Sequence, residues 1–369
     1  MRLYLYSVLL FSFLLNFSFN LSAQNNKFSN LVIESNYHYG YLLPEYTFFN
    51  YLTNDAVKAF DIELKKELKG EKLWERVYHY PSVGLATYCG SLGNDTVFGK
   101  VISVYPFLNF PLIERGKILF SIQIGIGGAY STEEFNIENN YYNIAIASHL
   151  NIWVQAKSGI TYKINDKYSV SAGTAFGHFS NANFSEPNLG LNFWTFYGGA
   201  SIAVSEETKR NSEPIPLFKR KNEYAFIAAG GGKHTRRFAE QAYFAGSISG
   251  EYKRITGYKF AFGGGIDFFY DASIPDEMLR AGISEVKNIY KLKSGMHLSQ
   301  ELIIGKFSII IQEGMYIGFK DYLYKHLMYN RGIVRYKFSK HFFADIAMKT
   351  NLNILDVAEV GIGYYTHRK

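Results

Sequence analysis

The chain has 369 residues, a formal net charge of +7 and one cysteine, Cys89. A lone cysteine excludes an intrachain disulfide, and with it a disulfide-stapled secreted scaffold. Aromatic residues reach 17% (30 Tyr, 31 Phe) while charged residues stay at 19%, below the roughly 25% usual for soluble domains, and no basic run interleaved with aromatics points to nucleic acid.

The chain begins with one cation, Arg2, and an apolar run over residues 3–19. Leu21-Ser22-Ala23 and polar Gln24-Asn25-Asn26 follow. This is the pattern of a secretory signal cut after Ala23, so residues 1–23 are assigned to it. Beyond Ala23 no stretch holds the ~18–20 apolar residues that a spanning helix needs. An exported chain rich in Tyr, Phe and Gly, with a mean hydropathy of −0.10, fits an all-β, transmembrane, antiparallel outer-membrane β-barrel. There, outward positions are apolar and inward ones polar. A mildly basic surface suits anionic lipid or lipopolysaccharide phosphates.

Strand-like segments recur along the chain. In the first half they cover residues 31–43, 56–64, 83–91, 97–108, 117–130, 152–164, 168–180 and 191–204. The sixth and seventh are joined by a hairpin turn at Asn165-Asp166-Lys167. A polar stretch, 206–222, holds Pro214, Pro216 and Lys219-Arg220-Lys221. It reads as a long turn between two halves of one barrel, with a domain linker as the alternative. Eight more segments follow between 223 and 365, interrupted by a helical or loop-like excursion at 273–287. The expectation is a single barrel domain over 24–369 with twelve to sixteen strands; at sixteen its lumen would be open, as in a porin.

Residues 176–192 carry the chemistry. His178 and Ser180 are two apart on a strand-like segment, so they project from one face. The imidazole can then take the serine proton, the minimum apparatus of an activated serine nucleophile. His297-Leu298-Ser299 repeats the spacing without the surroundings and reads as barrel polarity. His149 reads as an inward-facing polar residue. Ala229-Gly230-Gly231-Gly232-Lys233-His234 lacks the spaced glycine and the Ser/Thr of a phosphate loop and reads as a tight turn. Gly125, Gly127 and Gly128 relieve crowding in the barrel wall. No metal-ligand spacing and no cofactor motif is present.

Tyr37-His38-Tyr39-Gly40, Tyr80-Pro81-Ser82-Val83-Gly84, residues 106–112, residues 143–151 and the His178 segment together resemble the Bacteroidetes-type acyloxyacyl hydrolases. That family is related to the outer-membrane lipid A 3-O-deacylases. The resemblance covers residues 31–204 well and the chain end more loosely. It implies His178 as general base, Ser180 as nucleophile, and Asn188, after Pro187, as an oxyanion donor with backbone N–H groups just after Ser180. The deacylases carry a glutamate fourteen residues after the histidine; here that position is Asn192. Outer-membrane phospholipase A resembles the chain there, with an asparagine at the same spacing. An asparagine can still orient the imidazole, and Glu186 is the alternative third member.

The resemblance implies an outer-membrane serine esterase that removes a 3-O-linked acyl chain from lipid A. The alternatives are a phospholipase A, which would bring calcium and a homodimer, and a non-catalytic barrel or porin. The partners implied are lipid A or lipopolysaccharide, or phospholipid, within the membrane. Phe179, Phe184, Phe193 and Trp194 are expected to line an acyl groove or to belong to the interfacial girdle.

Overall fold

The computed structural model describes residues 29–181, 185–233, 242–283, 285–317, 327–352 and 354–368. The expected signal segment, 1–23, and Phe184 lie outside the described residues.

Among the described residues sixteen strands run antiparallel. The first eight are β1 (Leu31–Leu43), β2 (Val57–Glu67), β3 (Ser82–Ser91), β4 (Lys100–Arg115), β5 (Ile118–Ser131), β6 (Leu150–Lys163), β7 (Tyr168–Ser180) and β8 (Leu191–Ala203). The second eight are β9 (Lys221–Lys233), β10 (Tyr243–Ile255), β11 (Phe260–Asp271), β12 (Leu292–Ile304), β13 (Phe307–Ile317), β14 (Met328–Lys337), β15 (Phe342–Asn351) and β16 (Ile354–Arg368). Among the described residues two short α-helices, α1 (Leu73–Val77) and α2 (Ile274–Arg280), sit in connections. Among the described residues no helix is long and apolar enough to cross a membrane.

The strands do not close into one ring. β8 pairs with β1, from Val32↔Ala203 to Leu43↔Asn192, and β16 pairs with β9. The result is two closed eight-stranded barrels, which corrects the expectation of a single barrel. Residues 204–220 are therefore a linker between barrels rather than a turn within one. The linker is pinned to the first barrel: Arg210 grips Glu114 with two hydrogen bonds of 2.8 and 3.1 Å. Lys69 donates to Glu207 at 2.7 Å and holds that carboxyl below its ordinary range.

Each strand alternates between lumen and membrane. In β1, Glu34, Asn36 and His38 are buried inside while Tyr37, Tyr39 and Tyr41 are exposed outside. Eight strands leave an interior just wide enough for side chains, and side chains block both lumens at mid-height. The first packs Tyr88, Tyr105, Trp153, Phe179 and Phe193 at its upper end. Below them Lys157 pairs with Asp61 and Glu63, and His38 Nε2 with Asp61 at 2.9 Å. The second lumen holds a denser ionic lattice, in which Arg335 grips Asp345 at 2.9 and 2.8 Å and His297 meets Asp267 at 2.6 Å. The open lumen that a porin reading needs is absent among the described residues.

The barrels meet at the end where residues 116–117, 164–167, 256–259 and 305–306 form short turns. Val77, Tyr78 and Ile304 are buried together there. The Tyr78 hydroxyl donates to the Ile303 carbonyl at 2.7 Å, and burial pushes its phenol up to about 12, so it stays a donor. Gly305 is required at this joint: its φ is +64°, and a Cβ would lie 3.1 Å from the Trp74 ring. In outer-membrane barrels short turns face the periplasm and longer loops the exterior. The loops 44–56, 92–99, 132–149 and 181–190 accordingly mark the outer end of the first barrel.

Candidate active site

β7 fixes the site. Ala175, Gly177 and Phe179 point into the lumen, and Phe176, His178 and Ser180 therefore project outward toward lipid. Gly177 makes room for the packing behind the site, since a Cβ there would overlap the Phe193 ring at 1.9 Å. Phe179 and Phe193 are fully buried, so they belong neither to an acyl groove nor to a girdle. Trp194, on the outer face, is exposed and lies 6.4 Å from Phe176, centroid to centroid.

Antiparallel pairing places His178 directly opposite Asn192. Asn192 Oδ1 lies 2.7 Å from His178 Nδ1, and Ser180 Oγ lies 2.9 Å from His178 Nε2. With the amide oxygen accepting from Nδ1–H, the Nε2 lone pair faces the serine hydroxyl, which donates to it. The three half-buried side chains form one relay on the outer wall near the loop end. Glu186, the alternative third member, makes no hydrogen bond with His178 among the described residues.

The loop after Ser180 is built around two asparagines. The Asn181 N–H donates to Asn188 Oδ1 at 3.0 Å, and Asn181 Nδ2 donates to the Ser185 carbonyl at 2.8 Å. Asn188 Oδ1 being occupied, its Nδ2 is the donor left for a substrate. The Asn181 N–H, one of the backbone donors expected just after Ser180, is engaged by Asn188; residues 182–184 lie outside the described residues. The return to β8 passes through Gly190 at φ +71°, where a Cβ would stand 3.1 Å from His178 Cε1. The backbone N–H groups of Leu189 and Gly190 donate to the carbonyls of Ile144 and Ala145, at 3.3 and 3.0 Å. This brace from the β5–β6 loop escaped sequence reasoning because it is made by backbone atoms.

The other candidates fall elsewhere. His149 is no lumen residue: its side chain is 42% exposed and its Nδ1 meets the Ser131 carbonyl at 2.8 Å. His297 and Ser299 face the second lumen, buried. Ala229–Lys233 is not a turn but the end of β9; His234 lies outside the described residues. Gly127 sits within β5, where a Cβ would stand 2.3 Å from the Val104 carbonyl oxygen. A cavity of about 530 Å³ opens at the opposite, turn end of the first barrel, among Lys65, Glu67, Ser82 and Lys163. No cluster of metal ligands is present among the described residues.

A closed barrel with an apolar outer face defines a class, the outer-membrane β-barrel, and this one carries a hydrogen-bonded serine, imidazole and amide on its outer wall. Residues 58–201 match the family model of lipid A 3-O-deacylase (PagL), and residues 222–368 match that of the acyloxyacyl hydrolase C-terminal domain. Between them the two matches take in most of both barrels. The chain belongs to the acyloxyacyl hydrolase family, related to the lipid A 3-O-deacylases, and is a carboxylic ester hydrolase of the outer membrane.

Among solved structures, the outer membrane enzyme PagL aligns at 15% identity and a TM-score of 0.30, over 45% of this chain and 97% of that one. Omp33 of Acinetobacter baumannii aligns at 8% identity and a TM-score of 0.18, over 92% and 98%. An outer membrane channel of Pseudomonas putida F1 gives 10% and 0.19, over 94% and 100%. No curated protein matches the sequence.

Proposed function

We propose that this protein is a serine-dependent lipid A deacylase whose substrate ester is the 3-O-linked acyl chain. The supporting observation is the Asn192–His178–Ser180 relay, set on the outer wall where a membrane-embedded acyl chain reaches it. Ser180 Oγ attacks the ester carbonyl carbon as its proton passes to His178 Nε2. The carbonyl oxygen, now an anion, takes a hydrogen bond from Asn188 Nδ2. A preorganised donor of this kind typically contributes ~10²–10³ in rate. Collapse expels the sugar oxygen, which recovers the proton from His178. Water, deprotonated by the same imidazole, then attacks the acyl-serine. The hydroxy fatty acid leaves and Ser180 regains its proton.

Asn192 holds Nδ1–H in place throughout and so fixes the reactive tautomer. It offers no negative charge to the imidazolium, unlike the glutamate of the deacylases. That neutral amide is the observation favouring a second reading, a phospholipase A.

Purified lipid A in detergent micelles, incubated with refolded protein and analysed by mass spectrometry, tests the proposal. Loss of one hydroxyacyl chain, absent with Ser180→Ala, is expected. Intact lipid A together with calcium-dependent cleavage of phospholipid would replace this reading with the second.

A further inference from the structure

We propose that the turn end of the second barrel is a collar that binds anionic phospholipid headgroups of the periplasmic leaflet. The segments 219–222, 254–259, 305–306, 338–341 and 366–368 contain eight Lys or Arg and no Asp or Glu. The carboxylates of the neighbouring strand ends all turn inward: Glu223, Glu251, Glu301 and Asp345 are buried in the lumen. There they pair with Lys337, Lys253 and Arg335. Arg254, Lys306, Lys340 and Arg368 are exposed and form no ion pair among the described residues. These five segments therefore present only positive charge.

The collar also lies at the right depth. Just above it, outward-facing aromatics form contacting pairs around the wall: Tyr224–Tyr252 at 5.3 Å, Phe307–Tyr336 at 4.7 Å and Phe342–Tyr364 at 5.5 Å. Such a girdle marks the membrane–water boundary, so cations one step beyond it stand among lipid phosphates. They come from the start of β9, from three hairpin turns and from the end of β16. They thus spread around the rim, with Lys259 over the Tyr78 ring at the joint with the first barrel, rather than forming one patch as a protein partner would need. The asymmetry is not a consequence of overall charge. Across the molecule, the loop segments 44–56, 92–99, 132–149 and 181–190 of the first barrel hold seven carboxylates and no Lys or Arg. This inference is independent of the deacylase proposal.

Native mass spectrometry of the full chain, given equal phosphatidylglycerol and phosphatidylethanolamine in detergent, tests it. Phosphatidylglycerol retention should exceed that of phosphatidylethanolamine at least about fivefold, the factor of a single Lys or Arg near an anionic surface. The preference should vanish in the Arg254→Gln, Lys306→Gln, Lys340→Gln, Arg368→Gln variant. Heat-modifiable gel migration checks that this variant is folded. A fluorescent phosphatidylglycerol titration of the unaltered chain, repeated in 1 M salt, should show the same loss. Equal retention of the two lipids, or a preference that survives either the four substitutions or the salt, would overturn the proposal.

Discussion

Replacing Asn192 by Ala and by Asp separates orientation from charge. The alanine removes the 2.7 Å contact to His178 Nδ1 and leaves the imidazole free to turn on the half-exposed wall. A side-chain hydrogen bond of this kind is worth about 1–2 kcal/mol, so kcat should fall about fivefold to thirtyfold, with KM little changed. The aspartate is isosteric and keeps the acceptor in place, but adds a full charge about 4 Å from the imidazolium that forms during attack. At an effective dielectric of about 20 that attraction is about 4 kcal/mol before desolvation. Burying the carboxylate against the β7–β8 wall offsets most of it, leaving about 1–2 kcal/mol and a kcat raised about tenfold. Because the cationic ring is now favoured, the acidic fall-off of kcat/KM should move to higher pH. Steady-state release of fatty acid across pH reads all three quantities. An alanine variant with unchanged kcat, or an aspartate variant slower than the alanine, would refute the assignment of Asn192 as the orienting partner.

Asn188→Ala should lower kcat ~10²–10³-fold at constant KM. Asn188→Asp should be no better, since a carboxylate still accepts from the Asn181 N–H but cannot donate to an oxyanion; stopped assays on both variants decide this. Gly190→Ala forces a side chain into left-handed backbone beside His178 Cε1, a conformation costing about 1–2 kcal/mol. Its heat-modifiable transition should fall by several degrees along with kcat. Arg335→Ala strands Asp345 inside the second lumen and leaves Glu251 to Lys253. Breaking such a buried pair costs about 3–5 kcal/mol, so this variant should fail to give a heat-modifiable band while Arg254→Gln does. In planar bilayers the unaltered protein should give no porin-like conductance steps, because buried side chains block both lumens.

The strands were legible because alternation is a local property. β1 and β7 run over the residues that the pattern marks, and the other strands differ mainly at their ends. Ring closure was not legible. Whether β8 returns to β1 or continues into β9 leaves the alternation of every strand unchanged, and the decision rests on pairing between residues such as Val32 and Ala203, far apart in sequence. A hint lay in the inward set: Trp153, Tyr88 and Arg335 are too large to line an open pore and suit a narrow, filled one. Ser180 and His178 were readable from their spacing, and Asn192 from the hairpin that sets it opposite. The parity of Phe179, one residue from His178, already required it to face inward. The brace from Ile144 and Ala145 is made through backbone atoms, which leave no mark in residue type, and the capture of the Asn181 N–H by the Asn188 side-chain oxygen depends on a loop path that spacing does not encode.

The central claim is that Ser180 carries the acyl group during turnover. Rapid mixing with lipid A, acid quenching within the first turnover and mass spectrometry of the peptide containing Ser180 test it most directly. A hydroxyacyl ester on Ser180 that disappears as free fatty acid accumulates is the expected result. Fatty acid released with no acyl group on Ser180, and at an undiminished rate by Ser180→Ala, would contradict it.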